Sequence, residues 1–138
     1  MQQRVRAVGH ENVRAAHTST FEFTSDDWLT PAGDCILGVE ADTVPSNFDD
    51  RFVDACQSVH AKITATLRVD GEEQVITGRG DPALTFENDR SMVARTSEYV
   101  DDRTVMLEAD TAAADINRDI VASLRAGAAV ECLLEVER

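Results

Sequence analysis

Two histidines stand seven positions apart near the start of the chain, in Gly9-His10-Glu11 and Ala16-His17-Thr18, with Arg14 between them. Imidazole suits proton transfer near neutral pH and is a common metal ligand. A zinc motif of the H-E-x-x-H kind sits on a helix, which puts both rings on one face. Here the segment alternates in polarity, and in an unbroken strand an odd separation sends the two rings to opposite faces. The spacing therefore gives no metal site. His10 and Glu11, beside the turn residues Gly9 and Asn12, are expected at a pocket mouth. His17 falls in the apolar phase and is expected as a core histidine with a hydrogen-bond partner. Both histidines are candidate general bases.

The cysteines offer less. Cys35, Cys56 and Cys132 are widely spaced and form no CxxC pair, so zinc-ribbon and thioredoxin-like chemistry are excluded by spacing. Asp34 precedes Cys35, and a neighbouring negative charge raises a thiol pKa, the wrong direction for a nucleophile. Cys35 is expected to be structural, and Asp34 to cap a turn through backbone amides.

Arginines are the other chemistry-bearing group. Asp70-Gly71 reads as a two-residue hairpin turn between His60–Val69 and Glu72–Thr77. Opposed positions then sum to 141, so Arg68 meets Glu73 and Lys62 meets Arg79. Like charges directly opposite are destabilising. Either the hairpin splays there, or an anion, from a protein carboxylate or a bound ligand, is expected at Arg79, whose flanking Gly78 and Gly80 permit close backbone approach. Arg14, Arg95 and Arg103 are further in-strand arginines whose planar fork suits carboxylate or phosphate. Asp115 and Arg118, three apart on a helix, are expected to pair.

The elements that must position these groups come from periodicity and breakers. Strands are expected at Val5–Val8, Val13–Phe23, Cys35–Val39, Leu84–Phe86, Ser91–Ser97, Thr104–Glu108 and Ala129–Val136, besides the hairpin. Helices are expected at Asn47–Gln57, capped by Asn47 or Ser46, and from Thr111 or Ala112 to Arg125, capped by Asp110 and ended by Gly127. No internal repeat or linker stands out. A chain of 138 residues then reads as one domain, 1–138, mainly β, a compact β-sandwich of jelly-roll-like character with two helices, or else an α+β layer.

Charge sets the habitat. Twenty-six acidic residues face 13 basic ones, of which Lys62 is the only lysine, and the formal net charge is −13. Such a chain repels itself in dilute salt, but at ~1 M salt the Debye length falls to ~3 Å. The acids scatter along the chain and form no block. A protein of a salt-accumulating cytoplasm is expected. Indiscriminate nucleic-acid binding is disfavoured, since no basic stripe exists. No apolar run approaches the ~18 residues of a membrane span.

The stretches GHENVRAAHTSTFEF, LTPAGDCILGVEAD, TGRGDPALTF, MVARTSEY and RTVMLEADTAAADINRDI together resemble an archaeal family, domain of unknown function 371. The resemblance covers nearly the whole chain, thinning between about Val44 and Val59 and at the last strand. It implies an archaeal origin and a jelly-roll-like β-sandwich with added helices, and it implies no activity. Thr96 and Thr111 depart from it at positions where lysine is frequent. No cofactor is implied. The functional expectation is a pocket at one end of the sandwich that gathers His10, Glu11, Arg14, Asp34, Arg79, Arg95 and Arg103 around a small phosphate- or nucleotide-like anion. The alternatives are an enzyme with His10 or His17 as base, and a pocketless interaction module.

Overall fold

Alternation places the central strands. Ile63, Ala65, Leu67 and Val69 are buried to 1% exposure or less, while Lys62 and Arg68, in the opposite phase, face solvent. The computed structural model spans Met1–Arg138 and is mainly β. The strands are β1 (Gln2–Val8), β2 (Thr20–Thr24), β3 (Ile36–Gly38), β4 (Lys62–Val69), β5 (Glu72–Arg79), β6 (Ser91–Arg95), β7 (Thr104–Met106) and β8 (Ala129–Glu137). The helices are α1 (Asp50–Cys56) and α2 (Arg118–Arg125), each preceded by a single 3-10 turn. No helix is long and apolar enough to cross a membrane.

Two four-stranded sheets result, ordered β1-β8-β4-β5 and β3-β2-β6-β7. Their inner faces share one core that includes Phe21, Phe23, Leu37, Ile76, Met92, Met106, Cys132 and Leu134. Phe48 and Phe52 of the α1 segment meet Phe86 with ring centroids 6.0–6.3 Å apart, pinning the helix to the chain before β6. The β4–β5 hairpin keeps the register set by Asp70-Gly71, with Arg68 opposite Glu73 and Lys62 opposite Arg79.

An internal repeat does exist. The order strand, strand, strand, 3-10 turn, helix, strand runs twice, from β1 to β4 and from β5 to β8. Glu40-Ala41-Asp42-Thr43 returns as Glu108-Ala109-Asp110-Thr111. Matching residues share unusual backbone: Ala15 and Phe86 have φ of 47° and 53°, and Glu40 and Glu108 have 56° and 52°. In both halves the second and third strands pair in parallel. The dyad passes between β2 and β6 at the Glu22–Val93 pair, which are themselves equivalent positions.

The halves interlock. β1 pairs with β8 of the second half, and β5 pairs with β4 of the first. Gly9 donates its N–H to Ala128 and Gly80 donates to Ala61. A side chain on Gly9 would strike the backbone carbonyl of Leu124 in α2, and one on Gly80 that of Cys56 in α1. Each glycine thus lets the end of the other half's helix seat against the chain.

Several expected elements are shorter or differently capped. Val13–Ser19 and Leu84–Phe86 are not strands. The left-handed Ala15 and Phe86 break extension there, while Val13, Ala15, Leu84 and Phe86 remain buried in loops packed on the core. The helices begin later than the pattern suggests, because Asp49 accepts from Arg51 N–H at 2.8 Å and Asn117 from Asp119 N–H at 2.8 Å. Gly127, at φ 88°, ends α2 as expected. Asp115 and Arg118 do not pair. Asp115 accepts from Ala112 N–H, and Arg118 donates to the carbonyls of Ala15, Ala113, Ala114 and Ile116.

Candidate cleft on the outer face of the second sheet

Period two along β2 turns Phe21 and Phe23 into the core and leaves Thr20, Glu22 and Thr24 on the outer face. Their partners across the antiparallel ladder are Arg95, Val93 and Ser91. Apart from Val93, the outer face here is therefore polar. It is also sheltered, because the β2–β3 and β6–β7 loops fold back beside it: Thr20, Thr24, Ser91 and Thr104 are all buried.

At the Thr24–Ser91 end lies a cavity of about 270 Å³ whose lining contains no hydrophobic side chain. Glu22, Thr24 and Asp26 come from β2 and the turn after it; Asn88, Arg90, Ser91 and Arg103 come from the second half. Asp26 accepts from Arg90 Nε at 2.9 and 3.1 Å, and this bond holds its carboxyl below the usual carboxylate range. Both terminal nitrogens of Arg90 stay free of protein partners. Arg103 donates from Nε and Nη2 to Asp101 Oδ2, at 3.2 and 2.9 Å, leaving Nη1 3.9 Å from Glu22.

Among the residues singled out from sequence, Arg103 alone lines this cavity. Arg95 is its neighbour through Asp101, whose Oδ2 it meets at 2.9 Å, with its Nε on Thr104 Oγ1 and its guanidinium 4.8 Å above the Tyr99 ring. Burial works against the charge of Asp101, but bonds from Arg103 and Arg95 override it and pull its pKa down to about 2. Arg79 sits elsewhere, held by Glu108 at 2.8 Å, Asp81 at 3.0 Å and Glu98 at 3.5 Å. Protein carboxylates, then, are what relieve its meeting with Lys62. Arg14 is exposed and reaches only the Pro31 carbonyl at 3.4 Å; Glu11 is exposed. Asp34 serves the loop through its main chain, its carbonyl accepting from Ala16 and His17 N–H.

Neither histidine lines the cavity. His10 Nδ1 accepts from Asn12 N–H at 3.0 Å. His17 Nδ1 accepts from the N–H groups of Ser19 and Thr20, both at 3.2 Å. Amide donors assign the lone pair to Nδ1 in each ring and the proton to Nε2. The repeat explains both. Asp81, at the place of His10, accepts from Ala83 N–H, and Asn88, at the place of His17, accepts from Arg90 and Ser91 N–H. Each imidazole stands in for the oxygen of an Asp or Asn turn.

Cys35 donates to Glu22 Oε1 at 3.4 Å, and burial, then the charge of Glu22, pushes its pKa up to about 12. Burial raises Cys56 and Cys132 to about 12 as well. None is an activated nucleophile.

Arg90, Asp26 and Glu22 were not singled out from sequence. The signal that could have found them is asymmetry between the repeats. Glu22 matches Val93, Asp26 matches Ser97, Arg90 matches Ser19 and Arg103 matches Cys35, so charge gathers at one of two equivalent sites. At the other, the place of Thr24 is taken by Arg95, its side chain only 11% exposed.

The family model described as domain of unknown function DUF371 matches residues 5–137. An uncharacterized protein of Methanocaldococcus jannaschii is 39% identical over 123 residues, which is 89% of this chain and 90% of the relative. The chain belongs to the DUF371 family.

Proposed function

We propose that this protein binds a small phosphate-like anion in the cleft between Arg90 and Arg103. The observation that supports this reading is the pairing of two guanidiniums, each tied to a carboxylate by part of its fork, around one wholly polar cavity. Tying one edge to Asp26 or Asp101 orients each arginine while both line the same cavity with donors to spare. Such preorganised forks suit phosphate geometry. At 270 Å³ the cavity falls below the ~300–1,000 Å³ of drug-sized sites. Its small size and lack of aromatic walls favour the phosphate over the nucleotide form of the ligand.

The protein is further proposed to work in concentrated salt, in the cytoplasm. The net charge of −13 and the scarcity of lysine support this.

Thermal unfolding against added phosphate tests the binding reading, with chloride held at equal ionic strength. A ligand that binds only the native state raises the melting temperature with concentration. Wild-type protein should show the rise and Arg90→Ala with Arg103→Ala should lose it. Equal stabilisation of both, or of neither, defeats the proposal.

A further inference from the structure

Glu22 is an odd floor for a site that takes only an anion. Its side chain is 12% exposed, and its protein contacts are the weak Cys35 thiol donor at 3.4 Å and Arg103 Nη1 at 3.9 Å. A charge-assisted hydrogen bond is shorter, ~2.7–2.9 Å, and an ionised carboxylate offers about four acceptor sites. Most of that capacity faces the cavity. Ser91 lines the same cavity, and its hydroxyl, open to solvent there, has no protein partner either. A bare anion on Arg90 and Arg103 would meet the negative charge of Glu22 and leave its lone pairs unused. A ligand that also carries a donor would satisfy both ends.

Resting on the anion-binding reading above, we infer that the ligand is a small phosphomonoester bearing a hydrogen-bond donor. Its phosphate sits on Arg90, Arg103 and the Ser91 hydroxyl, and its hydroxyl or ammonium group donates to Glu22. Glu22 is then the specificity residue, and its equivalent across the dyad, Val93, supplies none of this at the second site.

Four probes separate the terms: inorganic phosphate, methyl phosphate, glycerol phosphate and phosphoethanolamine. Binding is read by calorimetry and by fluorescence of Trp28, the single tryptophan, which is exposed in the same loop as Asp26. In the wild-type protein, glycerol phosphate or phosphoethanolamine should bind roughly tenfold tighter than methyl phosphate, the worth of one hydrogen bond to a charged group. Which of the two leads tells whether the donor is hydroxyl or ammonium. In Glu22→Gln, the preference should shrink while methyl phosphate, which as the dianion carries no donor, binds more tightly, because a repulsive charge is gone. Equal binding of all four probes to the wild type, or a preference intact in Glu22→Gln, overturns the inference and leaves anion binding standing. Failure of all four to bind overturns the anion reading and this inference with it. The wild-type comparison needs no variant to fold.

Discussion

His17 Nδ1 and Asn88 Oδ1 do the same work: each accepts two consecutive backbone N–H groups, of Ser19 and Thr20 in one case and of Arg90 and Ser91 in the other. An imidazole nitrogen has taken the place of an amide oxygen in a turn that both repeats need. The first test follows from this. His17→Asn should retain wild-type stability within about 0.5 kcal/mol, while His17→Ala, stripped of the acceptor, should lose about 1–2 kcal/mol, the usual worth of such a cap. Denaturant unfolding of the two variants decides it. An Ala variant as stable as the Asn variant would deny the turn role.

Interlocking of the repeats makes a second prediction. Within residues 1–70, β1 has no neighbouring strand of its own half in its sheet, since its partner β8 lies in residues 71–138. Either half alone leaves edge strands unpaired and core residues such as Leu67 and Cys132 uncovered. Each half expressed separately should give a disordered circular-dichroism spectrum, and mixing the two should restore strand signal with 1:1 stoichiometry. A half that folds alone as a monomer would contradict the swapped pairing.

Much of this architecture is legible in the residues. The hairpin register follows from Asp70-Gly71, and of the alternating odd positions Val13, Ala15, Phe21 and Phe23 are buried while Ser19 and the expected core histidine, His17, are only half-buried. Parity alone does not tell a strand from a loop laid on the core, which is why Val13–Ser19 and Leu84–Phe86 read as extended. Neither Ala15 nor Phe86 is a residue type that advertises a left-handed backbone. The repeat shows most plainly in the run Glu-Ala-Asp-Thr and in the pair Gly9 and Gly80; elsewhere matched residues mostly differ in type, as Leu29 does from Val100 and His17 from Asn88. The cleft was the least legible part. Arginines were visible, but which carboxylate each would meet depends on loop contacts that spacing does not encode, so Arg79 went to Asp81 and Glu108 while Arg103 stayed partly free.

Asp101 sets the acid limit of the second sheet. Its folded pKa of about 2 lies below the ordinary 3.8, so its pairing with Arg103 and Arg95 stabilises the fold above the ordinary value and is lost as pH falls from 4 through 2. Solvent screening holds the contribution to about 1 kcal/mol. Urea midpoints measured at pH 7 and at the lowest pH where the protein is still folded should converge less in the wild type than in Asp101→Asn. The variant should already lack the pH 7 increment. Identical pH dependence of the two proteins would remove Asp101 from that role.

Charge repulsion should make stability rise with salt. With a formal charge of −13 and most carboxylates exposed, unfolding midpoints should climb between dilute buffer and ~1 M potassium chloride, where screening shortens to ~3 Å. Flat or falling midpoints over that range would speak against adaptation to concentrated salt.

Phosphorus NMR reads the meeting of one anion with the two guanidiniums of the cleft. Inorganic phosphate in excess should give a line broadened by wild-type protein and by Arg79→Ala, whose guanidinium is spent on protein carboxylates. The line should stay narrow with Arg90→Ala combined with Arg103→Ala. Broadening that survives the double variant, or that vanishes with Arg79→Ala, would place the anion somewhere other than this cleft.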